Sequence, residues 1–189
     1  MKSLIYRIVK HILTWFGDVM LATTPPSTKA KQIIEMMSAI QSGDVICRKY
    51  NYYLDSYFIP GKYTHSGIVK SKDEIIHSVA EGVQFVHPID FIKDTDGFVV
   101  LRPKYPHPEL IRNVIEKALF HVNREAQYDF LFNDPDKLYC HELTCDCLYQ
   151  GGVVVYASTF NVGVWPIKFK KTAFLADDII KMCNVIYEF

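Results

Sequence analysis

Hydrophobic and polar positions change their period several times along the chain. Between residues 2 and 22 the polar side chains Ser3, Arg7, Lys10, Thr14 and Asp18 recur every three or four residues. Leu4, Ile5, Ile8, Ile12, Trp15, Phe16 and Val19 fill the opposite face, the pattern of an amphipathic helix. The run TTPPST at residues 23–28 breaks it, since proline lacks the N–H donor and disfavours helix in the residue before it. Ser27 or Thr28 then caps a second helix over 28–42, with Ile33, Ile34, Met37 and Ile40 on one side. Gly43-Asp44 ends it, which places a boundary between a helical extension, 1–42, and a main domain, 43–189.

From residue 44 the period shortens to that of strands. Val45-Ile46-Cys47, His65 to Lys70, Glu74 to Val79, Gly82 to Val86 and Phe98 to Arg102 are five short candidates separated by turns. An aromatic loop from Tyr50 to Tyr63 and a helical turn at Pro88 to Ile92 interrupt them. Such close spacing predicts an antiparallel meander tending to a barrel. Past Pro103 the helical period returns: Leu110, Ile111, Val114, Ile115, Ala118, Leu119 and Val122 predict a helix over about 108–123. A further helix begins near Tyr139 and stops at Gln150-Gly151-Gly152. Residues 153–175 are ambiguous; Val153 to Tyr156 could pair as a strand, and Trp165-Pro166 marks a loop. Asp177 to Met182 suggests a short final helix. The fold class is α+β.

Composition narrows the function. With 189 residues, 49% of them hydrophobic, the chain can build one well-packed domain with a small extension. Twenty-one basic residues balance 21 acidic ones, so nothing global favours nucleic acid. Lys168, Lys170 and Lys171 read as a solvated strand edge. Five cysteines, an odd number without regular spacing, fit a reducing, cytoplasmic setting better than a disulfide framework. Arg7, Lys10 and His11 interrupt any signal-peptide core, and no run approaches the ~20 apolar residues of a membrane span. The first helix is expected to pack on the domain. A peripheral membrane contact through residues 1–22 is the alternative, given Lys2, Arg7, Lys10 and His11 beside Trp15 and Phe16.

The candidate chemistry centres on Cys140, at the start of the helix after Tyr139. The free N–H groups of a helix N-terminus favour the thiolate, which is the nucleophilic form. A thiolate needs a base, and histidine is the usual one. His65 opens the second strand and His77 lies in the third; with equal parity, both can reach one face of a hairpin. Taken singly, each is better explained as a structural histidine, and Cys140 as a small buried side chain. Zinc binding by Cys140, His141, Cys145 and Cys147 matches no common ligand spacing, and Cys147 reads as core.

The ordered motifs carry a resemblance. Gly43-Asp44-Val45-Ile46, Ile59 to Val69, Ile75-Ile76-His77-Ser78 with Glu81-Gly82-Val83, Tyr128-Asp129-Phe130 and Tyr139-Cys140-His141-Glu142-Leu143 together resemble the YiiX/YebB-like group over about 43–182. These are circularly permuted members of the NlpC-type papain-like superfamily, related to lecithin:retinol acyltransferase-like proteins and to a poxvirus protein. The resemblance implies a permuted papain-like fold with a β-barrel or meander against the nucleophile helix. It implies Cys140 as nucleophile, His65 as base and His77 as third residue, a position often glutamate in permuted relatives; Glu81 is the second choice. His141 stands where relatives commonly have serine. The oxyanion site is expected from the Cys140 N–H, with Tyr63 or Tyr139 as further donors. No cofactor is implied. The implied activity is a thiol hydrolase forming a cysteine thioester from an amide or ester, on a small-molecule, peptide or lipid acyl substrate. The alternatives are a catalytically degenerate binding protein and a membrane-peripheral acyltransferase or lipase.

Overall fold

The computed structural model describes residues 2–17, 19–22, 24–53, 59–130, 132, 134–162 and 169–189. Part of the aromatic loop, the Trp165-Pro166 loop and Lys168 lie outside the described residues. Helix α1 (Lys2–Gly17) and α2 (Ala30–Ala39) come first, then β1 (Val45–Lys49), β2 (His65–Val69), β3 (Ile75–Val79) and β4 (Gly82–Val86). A short α3 (Pro88–Ile92) leads to β5 (Gly97–Pro103), α4 (Ile111–Asn123) and α5 (Cys140–Gln150). The chain closes with the hairpin β6 (Ser158–Val162) and β7 (Phe169–Ala173), then α6 (Ala176–Lys181) and β8 (Cys183–Glu188).

Six strands form one antiparallel sheet in the order β4-β3-β2-β1-β5-β8. Alternate residues of each central strand serve two separate cores. Val45, Cys47, Val99 and Leu101 meet α4 and α5 through Val114, Ala118, Leu143 and Leu148. Ile46, Val69, Ile75, Phe98 and Val100 meet Met36 and Ile40 of α2 and Phe91 and Ile92 of α3. Burial on both faces explains why β1 and β5 read as nearly continuous apolar runs. It also corrects the expectation of a barrel: the sheet stays open, with β4 and β8 as its edges. Helices already cover both faces, so closure is not needed to hide them. Residues 153–157 are irregular; the strand pairing expected there lies further on, Ser158 opposite Ala173 through Val162 opposite Phe169. The C-terminal strand β8, which the sequence pattern does not announce, pairs with β5.

Helix α1 inverts its expected packing. Leu4, Ile8, Ile12 and Trp15 face solvent. The inner face instead offers Tyr6, whose Oη donates to Tyr128 O at 3.1 Å and whose ring lies 6.0 Å from that of Phe130. No helix among the described residues is long and apolar enough to cross a membrane.

Candidate active site

Helix α5 is buried on nearly every side, with Cys140, His141, Leu143, Thr144, Cys145, Cys147 and Leu148 all buried. Its first turn abuts β2. The Cys140 thiol donates to Thr64 O at 3.8 Å. The backbone N–H groups of Ser66, His141 and Cys140 also approach the sulfur. Cys140 is thereby set beside the strand segment that carries His65.

Strand register brings the two histidines together. Gly67 pairs with His77 across β2 and β3, and His65 Nε2 lies 2.9 Å from His77 Nδ1. The Phe91 ring packs on both, 5.5 Å from each imidazole centroid. Gly67 permits that contact: a Cβ there would lie 2.6 Å from Ile75 Cγ2 and 3.2 Å from the Phe91 ring. Arg48, which the sequence pattern does not mark, is the register partner of His65 on β1. Its guanidinium donates to Phe91 O and lies 4.2 Å from the Phe91 ring centroid. Finding it requires the register; the one hint in the sequence is a charge following an apolar run.

The remaining expected residues are dispersed. Glu81 sits exposed on the β3–β4 turn. Tyr63 is buried and donates to Glu188 Oε1 at 2.7 Å, so its one hydroxyl proton is already engaged. Tyr139 Oη accepts the Phe174 N–H at 2.6 Å, tying the segment after β7 to the start of α5. Lys171, read from sequence as a solvated edge, lines the cavity described below, with Nζ 5.5 Å from the Phe132 ring centroid.

Electrostatics differ from the simple helix-terminus picture. Burial pushes the Cys140 thiol up to about 11, although nearby N–H groups and Arg48 pull it down. Burial, with the Arg48 charge second, drives His65 well below its usual range and His77 to about 3. Desolvation disfavours both charged forms, so the resting pair is a neutral thiol and a neutral imidazole. Among the described residues Sγ makes no hydrogen bond to an imidazole; it rests on Thr64 O. A resting thiolate, expected from the helix dipole, is outweighed by the loss of water.

His141 completes the first turn. Thr144 Oγ1 donates to Cys140 O at 3.1 Å, which uses its one hydrogen. It therefore accepts from Ser66 Oγ, 2.9 Å away. Ser66 Oγ in turn accepts from His141 Nδ1–H at 2.8 Å. This chain of donors makes His141 Nε2 a bare acceptor, buried and without a protein partner. Burial also holds the ring neutral, with its pKa near about 4.

Cys140 and His141 share a cavity of about 500 Å³, within the roughly 300–1,000 Å³ usual for small-molecule sites. Its walls are mainly apolar. Tyr128, Phe130 and Phe132 come from the segment before α5, Phe160 and Ala173 from the β6–β7 hairpin, and Leu13 from α1. The hairpin is anchored by Ser158 Oγ, which donates to Asp178 Oδ1 at 2.7 Å.

The structure resembles the crystal structure of metalloprotein YiiX from Escherichia coli O157:H7, with a TM-score of 0.64 and 15% identity over 80% of this chain and 98% of that one. At that identity the likeness concerns the fold. Among the described residues no group of three or more His, Cys, Asp or Glu side chains is arranged to hold a metal ion. No curated protein matches the sequence. The family described as "Permuted papain-like amidase enzyme, YaeF/YiiX, C92 family" matches residues 39–163, more than half of the chain. The chain therefore belongs to the YaeF/YiiX family of permuted papain-like amidases, a family of cysteine hydrolases.

Proposed function

We propose that the protein hydrolyses N-acyl amides bearing a long apolar acyl group, through a thioester on Cys140. The observation that carries this reading is the aromatic-walled cavity with Cys140 in its lining. An apolar wall of that extent suits an acyl chain better than a polar peptide. The amide preference is supported by the family and by His141, whose bare Nε2 would accept the N–H of an amide and find no donor on an ester.

On attack the thiol leaves Thr64 O, and His65 Nδ1 takes its proton as Sγ bonds to the acyl carbon. The carbonyl oxygen becomes an oxyanion beside the N–H groups of Cys140 and His141, which have no partner within the helix and turn from the sulfur to the oxygen as Sγ bonds to carbon. For His65 to act through Nδ1, its Nε2–H must donate to His77 Nδ1, so His77 sets the tautomer and orients the ring. His77, held to about 3, does not compete for the proton. The His65 imidazolium then protonates the amine nitrogen as the C–N bond breaks. Water, deprotonated by His65, attacks the thioester; the carboxylic acid leaves and the thiol regains its proton.

Matched amides and esters of short and long acyl chains test this. The expected result is cleavage favouring long-chain amides, none with Cys140→Ala, and a reduced amide preference with His141→Leu. Unimpaired turnover by Cys140→Ala would overturn it. Binding of the long-chain amide without turnover would assign the cavity to a binding protein of the same fold.

A further inference from the structure

Helix α1 presents Leu4, Ile8, Ile12 and Trp15 to solvent, with 63%, 50%, 58% and 69% of each residue accessible. Their spacing places them in one stripe along the helix. Met20 and Leu21 prolong the exposed apolar surface beyond it. An apolar patch of this kind on the outside of a protein marks a contact surface. The helix is not simply detached. Its other face donates from Tyr6 to Tyr128 O, takes Lys137 Nζ 4.1 Å from the Tyr6 ring centroid, and contributes Leu13 to the cavity that holds Cys140.

We infer that α1 docks on the surface of an anionic lipid bilayer. Charge selects that occupant: residues 2–17 contain the cations Lys2, Arg7 and Lys10 and no acidic residue. Arg7 and His11 are exposed and flank the stripe on one side, as a helix lying in the headgroup plane requires. Trp15 supplies the amphipathic ring typical of that depth. Sixteen residues give a rod of about 24 Å at 1.5 Å per residue, too short and too basic to span but suited to lying flat. Because Leu13 and the stripe belong to opposite faces of one helix, docking brings the cavity close to the interface. The docking stands on α1 alone; delivery of an acyl chain from the bilayer into the cavity rests on the proposed acyl-amide activity.

The test uses the full chain carrying Cys140→Ala, so that turnover plays no part. Vesicles of phosphatidylcholine alone and of phosphatidylcholine with phosphatidylglycerol are compared by flotation and by the emission of Trp15, with Trp15→Phe as the reference. The chain is expected to float with the anionic vesicles, with a blue shift assigned to Trp15. Ile8→Ser, Ile12→Ser and Trp15→Ser combined are expected to lower the bound fraction at least tenfold, with circular dichroism unchanged because these side chains contribute little to the core. Trp15→Ser alone gives a second reading of the same surface. Arg7→Gln is expected to weaken the preference for anionic vesicles. Absence of flotation and of any blue shift overturns the inference, as does a concentration-dependent dimer that buries Trp15 without lipid. Neither result bears on hydrolysis of a dispersed short-chain amide, so the two proposals fail separately.

Discussion

His65 Nε2 and His77 Nδ1 lie 2.9 Å apart, so the two imidazoles share a hydrogen bond, and in the proposed mechanism His77 orients His65 where many hydrolases use a carboxylate or an amide. The pairing carries no net charge, and a neutral His77 stabilises an imidazolium at His65 less than a carboxylate would. His65→Ala is expected to lower kcat/KM by about a hundred- to ten-thousand-fold, the range for a lost general base. His77→Asn, whose side-chain oxygen can replace Nδ1 as acceptor, should retain more activity than His77→Leu, which should lose at least about tenfold. Steady-state kinetics checks both. The Leu variant need not be less stable, because it also removes the buried His77 Nε2, which has no partner.

Acid should unfold this protein early. His77 and His141 are held to about 3 and about 4, and His65 also lies well below its usual range, because burial disfavours the charged ring. As pH falls below 6.5, the value of an unperturbed histidine, the unfolded chain takes up protons that the native state refuses. Stability therefore falls with falling pH until the folded values are reached, by about 1.4 kcal/mol per unit for each histidine. Urea midpoints at about pH 7 and about pH 5 should differ accordingly. His141→Gln should flatten the dependence; equal midpoints in the parent chain would contradict the buried neutral state.

Gly67 has no side chain because Ile75 and Phe91 occupy the space. Gly67→Ala would place a Cβ 2.6 Å from Ile75 Cγ2, and overpacking of this kind costs about 1–3 kcal/mol. Since Phe91 also braces both imidazoles, activity should fall beyond what the lost stability explains. Thermal melts paired with kinetics at low temperature separate the two effects.

Much of this arrangement is legible in the sequence, and the gaps have physical causes. Strands β1 to β5 are local apolar runs divided by turns, and the equal parity of His65 and His77 places them on one face once the hairpin forms. Strand β8 follows α6 after Met182 alone and gains its partner from β5, far back in the chain. Arg48 becomes a neighbour of the histidine pair only through the β1–β2 register. The chain from His141 through Ser66 to Thr144 joins two elements, and no spacing within either reveals it. The protonation of Cys140 turns on burial, which a helix N-terminus in the sequence does not report. Likewise, the pattern of α1 shows an apolar face, while its direction depends on what Tyr6 and Leu13 find.

The cavity dimensions should set acyl-chain preference. Ala173 lies in its wall on β7, and Ala173→Trp would fill part of the space. Turnover of long-chain amides should drop about tenfold or more, in line with the few kcal/mol that bulk changes in apolar sites carry. Short-chain turnover should be little changed. Competition assays with mixed chain lengths read the shift directly.

In the proposed mechanism Cys140, a protonated thiol at rest, becomes the nucleophile when an acyl amide fills the cavity. Burial raises all five thiols above their ordinary value, so small alkylating agents should react slowly near neutral pH. The most direct measurement is peptide-resolved mass spectrometry after exposure to a long-chain acyl electrophile. A single adduct on Cys140 is expected, formed faster than with a short-chain reagent and lost when His65→Ala is introduced. Equal, slow labelling of Cys47, Cys140, Cys145, Cys147 and Cys183 would contradict it.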